Sequence, residues 1–387
     1  MAPSGLLDGA WVWQDCSMRI NLFITELRTG GAERCLTELA LGLARRGDDV
    51  RVLSLAPLPL PPRNELVERL LAAGIPVESC GVRRSGHLVA AVRYVRNWLR
   101  ESEPDCLQTF LYHANVVGAI AAGRRPYSRV VAGVRVAQPH RGRVWFESRW
   151  KRRLSGIVCV SRAVEAFVQR HWRPHPPTRV VTIPNAIEKD RFVGAAPVDW
   201  SQWGLQGDGP VVLFLGRLHR QKGLDLLLDV APTLLQLHPD MRLAIVGEGP
   251  LRSAVTRTIS ELPDGRAALL PWQSEVGGLY AGCRLVLLPS RYEGMPNVVL
   301  EAMSAGRCVL AADVEGVSEL LGPLAGEQTF PPGDRGSMVQ RLDSLLRRPD
   351  LEQLQQANRQ RVASEFSPQA MVDRYRTFYL ELLDRPL

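Results

Sequence analysis

The chain has 387 residues, 45% hydrophobic and 23% charged, a balance typical of globular proteins and too long for one core, so two domains of roughly 180 residues are expected. Its seven cysteines (Cys16, Cys35, Cys80, Cys106, Cys159, Cys283, Cys308) are scattered and never in C-x-x-C spacing, and its seven histidines lack any H-E-x-x-H spacing, which argues against a disulfide framework or a metal site. The net charge of +8 is uneven: residues 1–193 carry 29 Lys/Arg against 17 Asp/Glu, so the first half is expected to face nucleic acid, anionic lipid or a diphosphate-bearing acceptor.

In chain order, MAPSGLLDGAWVWQDC lacks a basic n-region, and Asp15 breaks its apolar patch. Residues 1–17 therefore read as a disordered extension, or an upstream start ahead of Met18, rather than a signal peptide. No apolar run of 18 residues occurs, and the expected location is cytoplasmic, free or peripheral at the inner face of a membrane. From Arg19 short β-like runs alternate with amphipathic stretches, the mark of βαβ units and parallel sheets. Strands are expected at 20–24, 50–55, 77–80, 106–111, 129–134, 156–161 and 179–184. Helices are expected at about 32–46, 65–73, 87–101 and 115–122, with a further one ending near His171.

Two features of this half stand out. RTGGAER (28–34) is a glycine-rich strand-to-helix turn that matches neither a G-K-[ST] phosphate loop nor G-x-G-x-x-G, which disfavours a nicotinamide dehydrogenase. His113 follows the strand CLQTFL, at the end where α/β sheets bind ligands, and reads as either a structural histidine or a ligand contact. Next comes RGRVWFESRWKRR (141–153), in which Arg141, Arg143, Lys151, Arg152 and Arg153 interleave with Trp145 and Trp150. Such a stretch suits an anionic membrane surface; a surface loop with a half-buried aromatic face is the plain alternative. Stacking on single-stranded nucleic acid uses the same residue types, but no nucleic-acid module is present and none is expected as partner.

The segment 188–210 reads as the interdomain linker. The second half continues with strands at 211–217, 242–247, 267–271, 285–289 and 308–313, and helices at 223–237, 250–261, 274–281, 296–305 and 317–322. Terminal helices follow at 350–363 and 368–383. VVLFLGRLHRQKG sets Gly216 and Arg217 at a strand end and Lys222 at the next helix start. Lysine occurs only at 151, 189 and 222, so its place beside a glycine favours a diphosphate site over a solvated basic loop. LVLLPSRYEGMPNVVLEAM (285–303) is a strand, loop and helix carrying Glu293 and Glu301 eight positions apart. Carboxylates accept hydrogen bonds from hydroxyls, so a phosphate-binding mouth with two of them suits a nucleotide sugar.

YEGMPNVVLEAMSAG carries an E-x7-E motif in Glu293 and Glu301. With LRTGGAER, LYHAN, IVCVSRAV, VVTIPNAIEKDRF, FLGRLHRQKG, IVGEGPLR and VEGVSEL in order, the chain resembles family four of the retaining glycosyltransferases over about 19–383. The resemblance implies the α/β GT-B fold, two doubly wound Rossmann-like domains facing across a cleft, with C-terminal helices returning toward the first. It divides the chain into an extension (1–17), an acceptor-side domain (18–193), a nucleotide-sugar domain (194–365) and a crossover helix (366–387). It implies a catalytic set of Arg217 and Lys222 on the donor diphosphate, Glu293 on the donor sugar and His113 near the reacting centre. It also implies donor contacts from Gly30, Gly31, Gly216, Gly294, Met295, Asn297 and Glu301. Transfer would retain configuration and need neither cofactor nor metal, in keeping with the lack of a D-x-D triplet. The acceptor would be lipid-linked or a polysaccharide. The chain departs from the family at Asn185-Ala186-Ile187-Glu188, at Glu315-Gly316, where paired glycines are usual, and at Pro296. A UDP-sugar epimerase of the same fold and a non-catalytic sugar-nucleotide or polyanion binder remain open alternatives at this point.

Overall fold

A computed structural model of the chain describes residues 17–83, 87–123, 128–137, 149–174 and 176–384. Residues 1–16 of the expected extension, and Arg141, Arg143 and Trp145 of the basic stretch, lie outside the described residues.

The first half forms a seven-stranded sheet of β1 (Arg19–Ile24), β2 (Asp49–Ser54), β3 (Val77–Ser79), β4 (Cys106–Phe110), β5 (Arg129–Val134), β6 (Gly156–Cys159) and β7 (Arg179–Thr182). Their order is β3-β2-β1-β4-β5-β6-β7, every pairing parallel, with Ile20 registered on both Val50 and Cys106. The second half forms a six-stranded sheet of β8 (Val211–Leu215), β9 (Arg242–Val246), β10 (Ala267–Leu270), β11 (Leu285–Leu288), β12 (Cys308–Ala312) and β13 (Thr329–Phe330), in the order β10-β9-β8-β11-β12-β13, again parallel. Helices cover both faces of a parallel sheet, so its central strands are buried throughout, as β4 and β11 are. The expected two-domain α/β architecture is present.

The sheets reverse strand order between β1 and β4 and between β8 and β11. Ligand crevices form outside the strand ends at such points. Gly30 and His113 follow β1 and β4, and Arg217 and Glu293 follow β8 and β11, so the predicted site residues sit at both crevices.

Three expectations need correction. The helix after β4 spans Tyr112–Ala122, which puts His113 in its first turn rather than in a loop; Leu111, at φ +72, makes the sharp exit from the strand. The helix Arg335–Arg347 and the two-residue β13 were not anticipated. Much of the expected linker belongs to the second domain: the N–H groups of Val198 and Gln206 donate to Gly278 O (3.0 Å) and Gly265 O (2.8 Å), and Trp200 Nε1 donates to Gly282 O (2.9 Å).

The helix Pro368–Leu383, capped by the Ser367 hydroxyl, returns to the first sheet. It buries Met371, Val372, Tyr375, Phe378, Tyr379 and Leu382 at helical spacing in the first-domain core. Gly42 admits it: a Cβ there would stand 2.3 Å from Val372 Cγ2. Two polar contacts fix its register. Tyr379 OH donates to Gln108 Oε1 (3.1 Å), and Arg376 Nε donates to Asp48 Oδ2 (3.2 Å), a carboxylate with a fully buried side chain that also accepts from Met18 N–H (3.0 Å). Burial pushes the Asp48 carboxyl above its usual range despite both donors. Arg376→Met removes one partner of a buried pair and is expected to destabilise the first domain by about 3 kcal/mol, read as an earlier transition in urea unfolding.

Candidate active site

On the second-domain wall the chain leaves β8 at Gly216-Arg217 and makes a short 3-10 turn, Arg220–Lys222, before the helix Leu224–Leu237. Gly223 (φ +64) closes that turn against the loop after β11; a Cβ there would lie 1.7 Å from Pro289 O, so no other residue fits. The turn delivers Lys222 Nζ to Glu293 Oε1 at 2.6 Å. Ser290 Oγ donates to the same oxygen at 2.6 Å, and Glu293 N–H donates to Glu315 Oε2 at 3.2 Å. With side chains 18% and 8% exposed, Lys222 and Glu293 form a largely buried, charge-assisted pair.

Glu301 lies in the helix Asn297–Ser304 and accepts from Tyr280 OH at 2.8 Å. Burial and the Glu301 charge hold the phenol well above its usual range, so it remains a donor; the Phe192 ring, 5.2 Å away centroid to centroid, packs against it. Glu301 and Asn297 line a cleft cavity of about 490 Å³ together with Arg34 and Arg191. His113 lines a separate cavity of about 210 Å³ with Thr25 and Phe167 at the first-domain strand ends. The predicted residues thus form three groups rather than one: the Lys222–Glu293 pair, the Glu301 cavity and the His113 cavity.

On the first-domain wall the helix Gly31–Arg45 starts at Gly30, whose backbone is extended and whose helix N-terminus has no side-chain cap. Glu33 was not anticipated. It is 7% exposed, and its carboxyl folds back over Gly30, where a Cβ would stand 2.3 Å from Oε2. Burial pushes this carboxyl up to about 7, with Glu26 adding to the rise; its own backbone N–H and the charges of Arg135 and Arg217 act the other way. The only sequence hint was an acidic residue in the first turn of a glycine-led helix.

The two walls meet through backbone. A Cβ on Gly294 would lie 1.8 Å from Arg135 O, and one on Gly316 (φ +76) would lie 2.1 Å from Gly294 O. Asn185 Nδ2 donates to Met295 O (3.1 Å) and Asn297 Oδ1 (2.6 Å), while its Oδ1 accepts from the Arg135 guanidinium. Asn297 Nδ2 in turn donates to Gly31 O at 3.1 Å. Gly31, Gly294, Met295 and Asn297 therefore converge. On the far side, Glu319 accepts from Arg162 N–H (2.8 Å) and Ala163 N–H (3.0 Å), capping a first-domain helix from the second domain. Sequence reasoning missed Arg135, Asn185 and Glu319 in these contacts, since their partners lie 50 to 157 positions away.

Of the basic stretch, Lys151 Nζ donates to Trp172 O (2.6 Å) and Arg173 O (3.1 Å) behind the helix Arg162–His171. Arg153 lies against Ala119 O and Ile120 O in the last turns of the helix Tyr112–Ala122, and its guanidinium stacks 4.7 Å over the Trp150 ring, which packs on the core. These cations complement helix C-termini. Arg149 and Arg152 are the exposed cations among the described residues of the stretch. No helix among the described residues is long and apolar enough to cross a membrane.

The sequence matches the model of Glycosyltransferase Family 4 over residues 29–191 and that of Glycosyl transferases group 1 over residues 209–348. It is 25% identical over 381 residues to an alpha-D-kanosaminyltransferase of Streptomyces kanamyceticus, covering 88% of this chain and 97% of that one. It is 28% identical over 347 residues to the phosphatidyl-myo-inositol mannosyltransferase of Mycobacterium leprae strain TN, covering 82% and 84%. The fold superimposes on a glycosyltransferase from Rickettsia africae ESF-5 with a TM-score of 0.77 at 16% identity, over 95% of this chain and 99% of that one. It also superimposes on Anabaena HepE in complex with UDP-glucose, with a TM-score of 0.77 at 22% identity, over 94% and 99%.

Glu319 joins the walls through two charge-assisted bonds, so Glu319→Ala is expected to weaken the closed arrangement by about 1–2 kcal/mol. Small-angle scattering of the ligand-free protein should then give a larger radius of gyration than wild type.

Proposed function

The chain belongs to glycosyltransferase family four, the group 1 glycosyltransferases, and on that premise we propose that it transfers a sugar, with retention and without a metal ion, from a UDP-linked donor to a lipid-linked or polysaccharide acceptor in cell-surface glycan assembly. The observation that carries this reading is the buried Lys222–Glu293 pair at a switch point, opposite the glycine turn of the other domain.

In this reading Lys222 and Arg217 take the diphosphate, and the positive charge stabilises it as it leaves. Glu293, already oriented by Ser290, accepts from sugar hydroxyls. Glu301 has one carboxylate oxygen committed to Tyr280 and the other available to a ribose hydroxyl. His113, exposed in the first turn of its helix, would face the reacting centre from the first domain. Departure and attack on one face, through an oxocarbenium-like transition state, account for retention. The mannosyltransferase and HepE similarities favour a lipid-linked acceptor and a uridine donor.

Calorimetry in chelator tests the donor half. UDP is expected to bind, GDP and ADP much less, and Lys222→Ala to weaken UDP by about ten- to a hundredfold, the loss of a charged hydrogen bond. A folded protein that binds no nucleotide, or binds only after divalent metal is added, would overturn this assignment. For the mechanism, NMR of the product should show the donor's anomeric configuration; an inverted linkage contradicts retention. For the acceptor surface, Arg149 and Arg152 are the cations to neutralise. Salt-sensitive binding to phosphatidylglycerol vesicles should weaken in the double Ala variant, and absence of vesicle binding at low salt removes the membrane component of the proposal.

A further inference from the structure

Glu33 has no place in the reaction described so far, yet it occupies the wall facing the diphosphate-binding residues. It lies in the first turn of a fifteen-residue helix, and its carboxyl is packed over Gly30. Among the described residues it makes no ion pair within 4.0 Å. The charged groups facing it are Glu26 from the loop after β1, Arg135 from the end of β5 and Arg217 from the end of β8. One of these, Arg217, is a proposed diphosphate ligand. The carboxyl therefore stands at the helix N-terminus, against its own backbone N–H, and within electrostatic range of an arginine that an incoming diphosphate would use.

Resting on the donor reading above, we propose that Glu33 is a positioning residue that holds the place of the donor diphosphate in the free enzyme and takes up a proton when the donor binds. An ionised Glu33 and a doubly charged diphosphate cannot share one helix end without a large electrostatic cost. Leaving is hindered by packing, since the side chain is nine-tenths buried. Protonation is accessible because burial already brings the carboxyl to about 7. The step is balanced: one proton passes from buffer to the Glu33 carboxylate, and the neutral acid remains as a hydrogen-bond donor beside the diphosphate.

The sign follows from linkage. The donor's charge raises the Glu33 pKa further, so the complex binds more protons than the free enzyme above about pH 7, and affinity falls as pH rises through that range.

The probe is UDP-glucose, in which neither the diphosphate diester nor the uracil titrates between about pH 6 and pH 8, so pH dependence in that range belongs to the protein. Calorimetry of wild type at about pH 8 in buffers of different ionisation enthalpy should report uptake approaching one proton per donor. Its affinity should fall by up to about tenfold per pH unit above pH 7. Glu33→Gln, a neutral mimic of the acid, should take up no proton and keep a flat affinity over the same range, melting no lower than wild type. Wild-type binding without proton uptake overturns the proposal with no variant needed. So does a folded Glu33→Gln that loses affinity equally at every pH, which would mean that ionised Glu33 serves by orienting Arg217. Failure of both proteins to bind UDP-glucose at any pH would instead overturn the donor reading and this proposal with it, and the two failures are thereby distinguishable.

Discussion

The Asn185 side chain is the point on which the two halves of the molecule agree. Its amide donates twice into the 295–297 segment of the second domain and accepts once from Arg135 of the first. At 4% exposure every one of those valences must be filled by protein. Asn297 extends the chain of amides to Gly31 O, so the loop after β11 is tied to the glycine turn after β1. Such networks are costly when half made, which gives the interdomain arrangement a single low-energy geometry rather than a range of them. Gly294 and Gly316 belong to the same constraint, because any side chain at either would push the backbones apart. The departures at Ala186 and Glu315 leave this seam intact: the asparagine is kept, and so is the second glycine.

That constraint explains which parts of the site were legible in the sequence. Arg217, Lys222, Glu293 and Glu301 stand on two strand–loop–helix units whose periodicity is strong, and local spacing sufficed to put Arg217 and Glu293 after strand ends, Lys222 ahead of a helix and Glu301 within one. The same reasoning placed Gly30, Gly31 and His113, and missed only the early start of the helix that carries His113. Glu33 was hidden because a glutamate in a first turn is ordinarily a solvated cap, and only the tertiary fold makes it buried over Gly30. Glu319 and Asn185 were illegible for the same reason, as their partners lie more than a hundred positions away. The helix Arg335–Arg347 buries only Met338, Leu342 and Leu345, with polar residues between, and its periodicity is thin. β13 is two residues long and exists only through its pairing with β12.

Net charge was a poorer guide than position. The first domain's surplus of arginine suggested a basic face, yet Arg135 and Arg153 are committed to an amide and to helix carbonyls. Lys151 is spent in the same way. A guanidinium presents several donors in one plane, and that suits it to tie together elements whose carbonyls would otherwise be buried without partners. Much of the basic surplus is thus structural, and the charge left to act on a partner is smaller than the composition implies.

What remains at the cleft is a set of cations met by carboxylates. Lys222 is bonded to Glu293, whose N–H donates to Glu315, and the charge of Arg217 acts on Glu33 of the other wall. A cleft of free cations would bind any polyanion and hold it; a cleft whose lysine is already bonded to a carboxylate favours a ligand that can replace that carboxylate. A diphosphate can compete for the cations, and the hydroxyls of an attached sugar can satisfy the carboxylates it displaces. Inorganic phosphate offers the first half of that exchange without the second. On the proposed donor reading, selectivity for a nucleotide sugar over simple anions would follow from the pairing itself, before any contact with the base is counted.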